Sequence, residues 1–384
     1  MVSRGAAWSG AQEVRVRLDA GARSAPEPPA RVLPAGTEVR ALAYPALTGD
    51  PAVGDRVLLN VSALARGLGT GGYALVVALP DAPPPDPAPG PGHLVKARYT
   101  PLQALVLGVD EQESAHHDLL RDADDLDGLP VVVADLHSAL PAIIAGARHA
   151  AALEGRPAPL VAYVLTDGGA LPAWFSRTVS GLREAGWIAA CLTAGQAFGG
   201  DLEAVTVHTA LLAARLVVGA DLVVVAQGPG NLGTGTRWGF SGVAAGEAIN
   251  AVGTLGGRPI ASLRVSGADA RARHLGVSHH CLTAYGRVAL MPADVVVPRF
   301  GPGPLEALGA RVEEQARALG RPAGRHRLVP VDAAGELLAA LEASPVRLST
   351  MGRTLAQDPA AFLAAAAAGA HAAPQPTSAG ALRR

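Results

Sequence analysis

Cysteine, aromatic residues and charged residues are all scarce in this chain of 384 residues. Its two cysteines, Cys191 and Cys281, are too few for a disulfide framework or for a zinc site made of four cysteines. Aromatic residues make up 4% of the chain and the formal net charge is -1, so the sequence lacks the stacking rings and the basic surface of a general nucleic-acid-binding protein. Hydrophobic residues reach 49%, which excludes a wholly disordered chain.

Long uninterrupted hydrophobic runs are also absent from the sequence. The longest apolar stretch, residues 204–226, contains His208, Arg215 and Asp221, whereas a membrane-spanning helix needs about 20 nearly uninterrupted apolar residues. Residues 1–19 show no apolar segment of the kind that a signal peptide carries. We therefore expect a cytoplasmic protein that binds neither membrane nor nucleic acid. Homo-oligomerisation is expected because oligomers are common among soluble proteins.

The first part of the chain is typical of an all-β domain. Short alternating runs are separated by turns rich in glycine, proline and aspartate, and they lie at 13–18, 37–44, 56–61 and 73–79. This spacing predicts a small all-β, barrel-like domain. Residues 79–92 are rich in proline and predict a stiff linker, so the first domain spans residues 1–92.

Apolar runs alternate with helical stretches from residue 93 onwards. The runs are continuous, as expected for parallel strands buried on both faces, and they predict strands at 102–109, 130–134, 160–166, 187–193, 221–226, 259–265, 288–290 with 295–297, 327–331 and 346–349. The stretches between them predict helices at 142–153, 173–185, 206–218, 242–255, 304–319, 333–342 and 359–368. Together they predict an α/β Rossmann-like domain with a mainly parallel sheet over residues 93–373. Residues 374–384 predict a disordered tail.

A glycine-rich loop, residues 227–236, follows the predicted strand 221–226. Ligands of open parallel sheets bind beyond the carboxyl ends of the strands, and glycines there let backbone N–H groups approach a phosphate or carboxylate. The loop lacks the Gly-Lys-Ser/Thr ending of a P-loop. The predicted anion-binding residues are Gly228, Gly230, Asn231, Gly233, Thr234, Gly235 and Thr236. The alternative is a tight packing loop between strand and helix.

Histidines form the second group of candidate site residues, since histidine is the usual general base near neutral pH. His137 and Asp167 follow the predicted strands 130–134 and 160–166, and His279 is next to His280. Neighbours on an extended segment point to opposite faces, so we expect one of His279 and His280 to meet His137, with Asp167 orienting an imidazole. Two histidines and a carboxylate also suit a metal, so the metal and cofactor stay unknown. The alternative is ordinary buried histidines, with Asp167 capping a helix.

The segment 92–103 joins the two predicted domains and contains the single lysine of the chain, Lys96, together with Arg98. Cations at a domain junction suit an anionic ligand, so Lys96 and Arg98 are predicted to close the anion site. The alternative is a polar connection between the domains with no ligand.

Several blocks of the sequence carry a resemblance to a known family. They are residues 93–103, 136–141, 166–172, 228–239, 278–283 and 349–353, together with the Gly-Leu-Gly-Thr-Gly-Gly-Tyr block at 67–73. In these blocks the chain resembles an uncharacterised bacterial family, domain of unknown function 3866. The resemblance covers nearly the whole chain and implies no reaction and no catalytic residue.

The sequence as a whole favours an enzyme that acts on a small anionic metabolite, phosphorylated or nucleotide-like, bound at the strand ends and the domain interface. The loop 227–236 is expected to hold the anion, and His137 with His279 or His280 to transfer protons. The alternative is a non-catalytic ligand-binding or scaffold protein.

Overall fold

The computed structural model describes residues 1–23, 32–69, 71–86 and 89–373. They form two compact units: unit 1 is Met1–Val106 with Trp174–Ser180, and unit 2 is Leu107–Ala173 with Gly181–Arg384. Unit 1 thus extends beyond the predicted boundary at residue 92. Of the predicted linker, Pro87 and Ala88 lie outside the described residues, and so does the predicted tail at 374–384.

Unit 1 contains an open five-stranded sheet. Its strands are β1 (Ser3–Trp8), β2 (Ala11–Arg17), β3 (Glu38–Ala43), β4 (Leu58–Asn60) and β5 (Ala74–Ala78). The order is β1-β2-β3-β5-β4, with β3 and β5 parallel and the other pairs antiparallel. The predicted barrel is therefore wrong: within the described residues β1 and β4 are the two edges of the sheet and do not pair. One face packs on a core that includes Val14, Ala41 and Val76.

Short elements complete unit 1. They are the helices α1 (Pro45–Thr48) and α2 (Ser62–Ala65), the two-residue ladder of Ala22–Arg23 with Val32–Leu33, and an antiparallel hairpin of β6 (Leu94–Lys96) with β7 (Ala104–Val106). The strand predicted at 102–109 is the second strand of this hairpin, so it belongs to unit 1 and does not start the parallel sheet.

Unit 2 is built on an eight-stranded sheet in which all neighbours are parallel. Its strands are β8 (Pro130–Val133), β9 (Val161–Thr166), β10 (Ala190–Ala194), β11 (Leu202–Ala204), β12 (Leu222–Gln227), β13 (Arg258–Ser262), β14 (Asp294–Arg299) and β15 (Arg327–Asp332), in the order β11-β10-β9-β12-β8-β13-β14-β15. The chain moves towards one edge after β9 and towards the other after β12. The predicted α/β class with a parallel sheet is confirmed.

The helices from residue 107 onwards are α3 (His117–Leu120), α4 (Leu140–Leu153), α5 (Arg177–Glu184), α6 (Val207–Leu216), α7 (Ala244–Thr254), α8 (His279–Thr283), α9 (Glu306–Ala316), α10 (Glu336–Glu342) and α11 (Pro359–Ala372). They mostly fall on the predicted helical stretches, whereas the short α3 and α8 were not predicted. Two short ladders pair Val265–Ser266 with Gly276–Val277 and Ser349–Thr350 with Arg353–Thr354. Residues 284–288 continue α8 as a π-helical turn, where a strand was predicted to begin at 288.

Helices α4 and α11 pack backbone against backbone. A Cβ atom at Gly146 would lie 1.9 Å from the carbonyl oxygen of Ala366, and one at Gly369 would lie 1.8 Å from that of Ile143. Only glycine fits at these two crossing points. The many alanines of α11 have small side chains, which keep the distance between the two helices short along the rest of their contact. None of the helices in the described part of the chain is both long and apolar enough to cross a membrane.

Candidate functional site at the carboxyl end of the sheet

A buried carboxylate follows the central strand β8 and joins groups from distant parts of unit 2. Oδ2 of Asp135 lies 3.1 Å from Nη1 of Arg264, just beyond β13, and 3.1 Å from Nδ1 of His280 in α8. The side chain of Asp135 is 1% exposed. We call Asp135, Arg264 and His280 with the residues described next the strand-end site.

The charge of Asp135 is stabilised by its two partners. Burial alone would raise the pKa of this carboxyl, but the hydrogen bond from His280 and the guanidinium of Arg264 together hold the pKa below its usual value. Removing one partner of a buried pair typically costs about 3–5 kcal/mol, because the other charge stays buried without compensation. Asp135 and Arg264 are therefore a fixed part of the site.

Two adjacent histidines reach this site because their segment is helical. Ser278 caps α8, and its hydroxyl accepts a hydrogen bond from the backbone N–H of His280 at 3.2 Å. The prediction of an extended segment is wrong here, and with it the expectation that only one of His279 and His280 can face the site. A short helix turns successive side chains by about 100°, so the two rings stay next to each other, with centroids 4.5 Å apart.

A third histidine, which sequence reasoning missed, completes a cluster of imidazoles. His274 lies with its ring centroid 5.0 Å from both His279 and His280. Each of the three offers a ring nitrogen, and these three atoms lie within 4.8 Å of one another. Burial, with the charges of Arg264 and Arg271, lowers the pKa of His274 to about 3, and burial also lowers the pKa of His279. Both rings are therefore neutral at pH 7, when their nitrogens can accept a proton or a metal.

The loop 227–236 lies beside these histidines and folds back on itself. Gly233 and Phe240 form an antiparallel bridge, and the hydroxyls of Thr234 and Thr236 contact the backbone of Gly239. The ring of Phe240 then stacks on His280, with centroids 3.8 Å apart and an interplanar angle of 5°. The two threonine hydroxyls that were predicted to bind an anion thus help to close the loop.

The loop is also hydrogen-bonded to Asp135 itself. Asn231 donates through Nδ2 to Oδ1 of Asp135 at 3.2 Å and accepts from the hydroxyl of Ser241 at 2.8 Å. Gln227 donates through Nε2 to the backbone oxygen of Asp135 at 2.8 Å. Asn231 is therefore a positioning residue for the carboxylate.

Two glycines of the loop lie at positions that require glycine for different structural reasons. A Cβ at Gly228 would lie 2.4 Å from the carbonyl oxygen of Ala170, so Gly228 permits close packing of two strand-end loops. Gly235 has a φ of 82°, and Nη2 of Arg273 lies 3.7 Å from the position of a Cβ there. The exposed Arg273 thus places a cation beside the outer part of the loop.

His137 and Asp167 are held by other groups. Nδ1 of His137 lies 3.0 Å from the hydroxyl of Tyr163, and burial lowers the pKa of His137 to about 4. The carboxylate of Asp167 accepts a hydrogen bond from the backbone N–H of Gln196 at 2.8 Å. The carboxylate that contacts an imidazole of the cluster is Asp135, and His137 is not one of the three clustered histidines.

Lys96 and Arg98 belong to unit 1, whereas the loop 227–236 belongs to unit 2. Lys96 is buried at the end of β6, and Arg98 is exposed with its guanidinium 5.2 Å from the ring centroid of Tyr99. Their predicted role in closing an anion site stays a prediction.

Two cavities next to Asp135, in the described part of the chain, are small. One cavity, of about 30 Å³, is lined by Asp135, Arg264 and Arg353, and another, of about 10 Å³, lies between Asp135 and Gln227. Such volumes hold a water molecule rather than a metabolite. Outside these cavities, Leu232 and Trp238 of the segment 228–239 are 70% and 55% exposed.

Sequence reasoning missed several residues of the site, namely Asp135 as the partner of His280, Arg264, Arg273 and His274. Asp135 carried a signal, because it is the first charged residue after the most central strand. Arg264 carried the same signal after β13. His274 carried none, because it comes close to the others only through the turn Ala272–His274 and the cap of α8.

The fold and the site define an α/β protein with a histidine-rich site at the carboxyl end of a parallel sheet. The chain belongs to the family described as "Protein of unknown function (DUF3866)", whose sequence model matches residues 40–369. No curated protein and no solved structure matches the chain. The match to the family model confirms the family that the sequence predicted.

Proposed function

We propose that the chain is an enzyme that acts on a small anionic metabolite at the strand-end site of unit 2. The observation that carries the proposal is a cluster of three imidazoles, one of which contacts a buried aspartate–arginine pair, beside a glycine-rich loop. Clusters of groups with shifted pKa values at strand ends are typical of catalytic sites. The order of strands also supports the Rossmann-like interpretation of this unit, because β9, β10 and β11 run towards one edge of the sheet whereas β13, β14 and β15 run towards the other.

The anionic group of the substrate would bind at the outer side of the loop. Arg273 supplies the positive charge there, since its guanidinium is exposed and close to Gly235. Arg264 is already paired with Asp135 and instead fixes the carboxylate. The anion would thus lie above the histidines, and exposed Trp238 would cover an attached ring.

The reacting part of the substrate would lie over His274, His279 and His280. A neutral imidazole nitrogen can take a proton directly or can hold a metal ion that does the chemistry. Asp135 and Arg264 hold the ring of His280 in place in either case, because Oδ2 of Asp135 and Nη1 of Arg264 each lie 3.1 Å from Nδ1. Both alternatives use the same residues.

A thermal-shift screen tests the proposal. Phosphorylated sugars, nucleotides and inorganic phosphate are added to the full-length chain, with and without divalent metals. A compound that binds the folded chain and is present at a concentration of 100 times its Kd raises the free energy of unfolding by about 2.7 kcal/mol. Gly230→Val, which strains a residue at φ 92°, and Arg273→Gln should lose the shift. Arg317→Gln, at an exposed arginine after α9, is the control.

Two results of the screen have different consequences. If no compound shifts the wild-type chain more than the Gly230→Val and Arg273→Gln variants, the strand-end site does not bind an anion. If a compound binds there but is not turned over in a product assay, the chain is the non-catalytic ligand-binding protein that was predicted as the alternative.

A further inference from the structure

We infer that His274, His279 and His280 bind a single divalent zinc-type ion, with a fourth coordination position open towards Arg273. The inference deepens the proposed function and rests on it for the role of the ion, but the binding of the ion can be measured without any substrate. Three imidazoles with an open fourth position are a ligand set that catalytic zinc uses.

On two of the three rings, the polar contacts are made by Nδ1, which leaves Nε2 for a metal. Nδ1 of His280 lies 3.1 Å from both the carboxylate of Asp135 and Nη1 of Arg264, and Nδ1 of His274 lies 2.8 Å from the hydroxyl of Ser278, so Nδ1 is engaged on both rings. A histidine that binds a metal usually donates its other N–H to a carboxylate or another acceptor, which fixes the orientation of the ring. Nε2 is then the metal-binding atom of both residues.

The third ring carries a polar atom that has no partner. Nε2 of His279 is buried and, among the described residues, makes no hydrogen bond. Leaving such an atom unsatisfied typically costs about 1–3 kcal/mol, and a metal ion would satisfy it. His279 as a whole is only partly buried.

The separations between the nitrogens suit an ion after a small movement. Tetrahedral zinc with Zn–N bonds of about 2.0–2.1 Å needs nitrogens about 3.3 Å apart, and the three atoms here lie within 4.8 Å of one another. Binding of an ion would therefore require the rings to move closer together by up to about 1.5 Å. The stacking of Phe240 holds His280, and the hydrogen bond to Ser278 holds the buried His274, so His279 is the ring that would move.

The charges around the cluster also permit a cation. Arg264 is neutralised by Asp135 at 3.1 Å, so this pair adds no net charge. Arg273 remains as a cation near His279, and it favours an anionic group at the open position of the ion. Neutral nitrogen donors select zinc, cobalt, nickel or copper over magnesium and calcium, which prefer oxygen.

Metal titration of the full-length chain, purified without a histidine tag and stripped with a chelator, tests the inference. Isothermal titration with Zn²⁺ should give one ion per chain, and Co²⁺ should give the visible absorption of a four-coordinate site, with no competition from Mg²⁺. His274→Ala and His279→Ala should each weaken Zn²⁺ binding by about 100-fold or more, beyond the roughly 10–100-fold expected for the second-sphere variant Asp135→Asn. His208→Ala, at an exposed histidine, should bind as the wild type does.

His279→Ala is the decisive variant, because Nε2 of His279 has no hydrogen bond to lose among the described residues. The melting temperature of the apo variant shows whether loss of the ring contacts with His274, His280 and Phe240 affects the fold. If the wild-type chain binds no Zn²⁺, or if His279→Ala binds it as tightly as the wild type, the inference is wrong. Metal binding without any anion binding would overturn the proposed function alone. Anion binding that Gly230→Val abolishes, in a chain that takes up no metal, would overturn the metal site alone.

Discussion

The ring of Phe240 stacks on the imidazole of His280, with centroids 3.8 Å apart and an interplanar angle of 5°. Phe240 follows the glycine-rich loop and forms a β-bridge with Gly233 of that loop, whereas His280 lies in α8. The stack therefore connects the position of the glycine-rich loop to that of the imidazole that Asp135 contacts. An opening of the loop must either break the stack or move His280.

Phe240→Leu keeps an apolar side chain but removes this stack, which is typically worth about 0.5–1.5 kcal/mol. We expect the loop to open more often, so that trypsin cleaves the native protein faster after the exposed Arg237. Peptide mapping after limited proteolysis measures the rate. The control is Phe300→Leu, since Phe300 is also 6% exposed but packs near Gly309. Equal rates after Arg237 in the two variants would show that the stack does not hold the loop.

Gly242→Ala should damage the site through Asp135. A Cβ at Gly242 would lie 1.6 Å from Oδ1 of Asp135, and this carboxylate is already fixed by Arg264 and His280. We expect a loss of about 2–3 kcal/mol in the free energy of unfolding, as for an overpacked core. Urea unfolding measures it. Gly233→Ala is the matched control, because no atom lies closer than 3.9 Å to its Cβ and the change should be small.

Gly146→Ala should separate α4 from α11. The new methyl group would lie 1.9 Å from the backbone oxygen of Ala366, and a backbone atom cannot rotate away. We expect destabilisation of about 3 kcal/mol or more, read from thermal unfolding. Gly309→Ala in α9 is the control, since its Cβ finds only ordinary contacts, the nearest at 3.5 Å. That control should gain up to about 1 kcal/mol from helix propensity, and a loss as large as that of Gly146→Ala would contradict the close-packing explanation.

His137 should make the fold sensitive to acid. Burial lowers its pKa to about 4 from a model-compound value of 6.5, so the unfolded chain takes up a proton that the folded chain refuses. The stability that neutral His137 provides is complete above pH 6.5 and falls as the pH drops from 6.5 to 4, by about 3 kcal/mol at most. Urea unfolding at pH 7.5 and pH 5 should show a smaller pH effect in His137→Asn than in the wild type. His208→Asn, at an exposed histidine, should keep the full pH effect, and an unchanged pH effect in His137→Asn would contradict the assignment.

The parallel sheet could be predicted because its strands are buried on both faces and so appear as continuous apolar runs. All six residues of β12 are buried, and its bounds differ from the prediction by one residue. The sheet of unit 1 was harder, because closure of a barrel depends on whether β1 and β4 pair, and no local pattern records such pairing.

The site was predicted in part for the same physical reason. Strand ends can be found from the sequence, so the loop 227–236 and its glycines were expected in the right place. The helix α8 is only five residues long and has no apolar periodicity, and its one local signal is the capping residue Ser278. His274 and Arg273 gain their roles from tertiary contacts, which spacing along the chain does not show.

The order of strands also has a consequence for how the protein is made. Strand β8 is synthesised before every other strand of its sheet, yet Val131 pairs with Val223 on one side and Pro259 on the other. On the ribosome this strand therefore waits, with both edges unpaired, until α7 and β13 have emerged. Long-range pairing of this kind slows folding and exposes the nascent chain to aggregation, so binding by a chaperone during synthesis should help this protein more than it helps a protein whose neighbouring strands are consecutive.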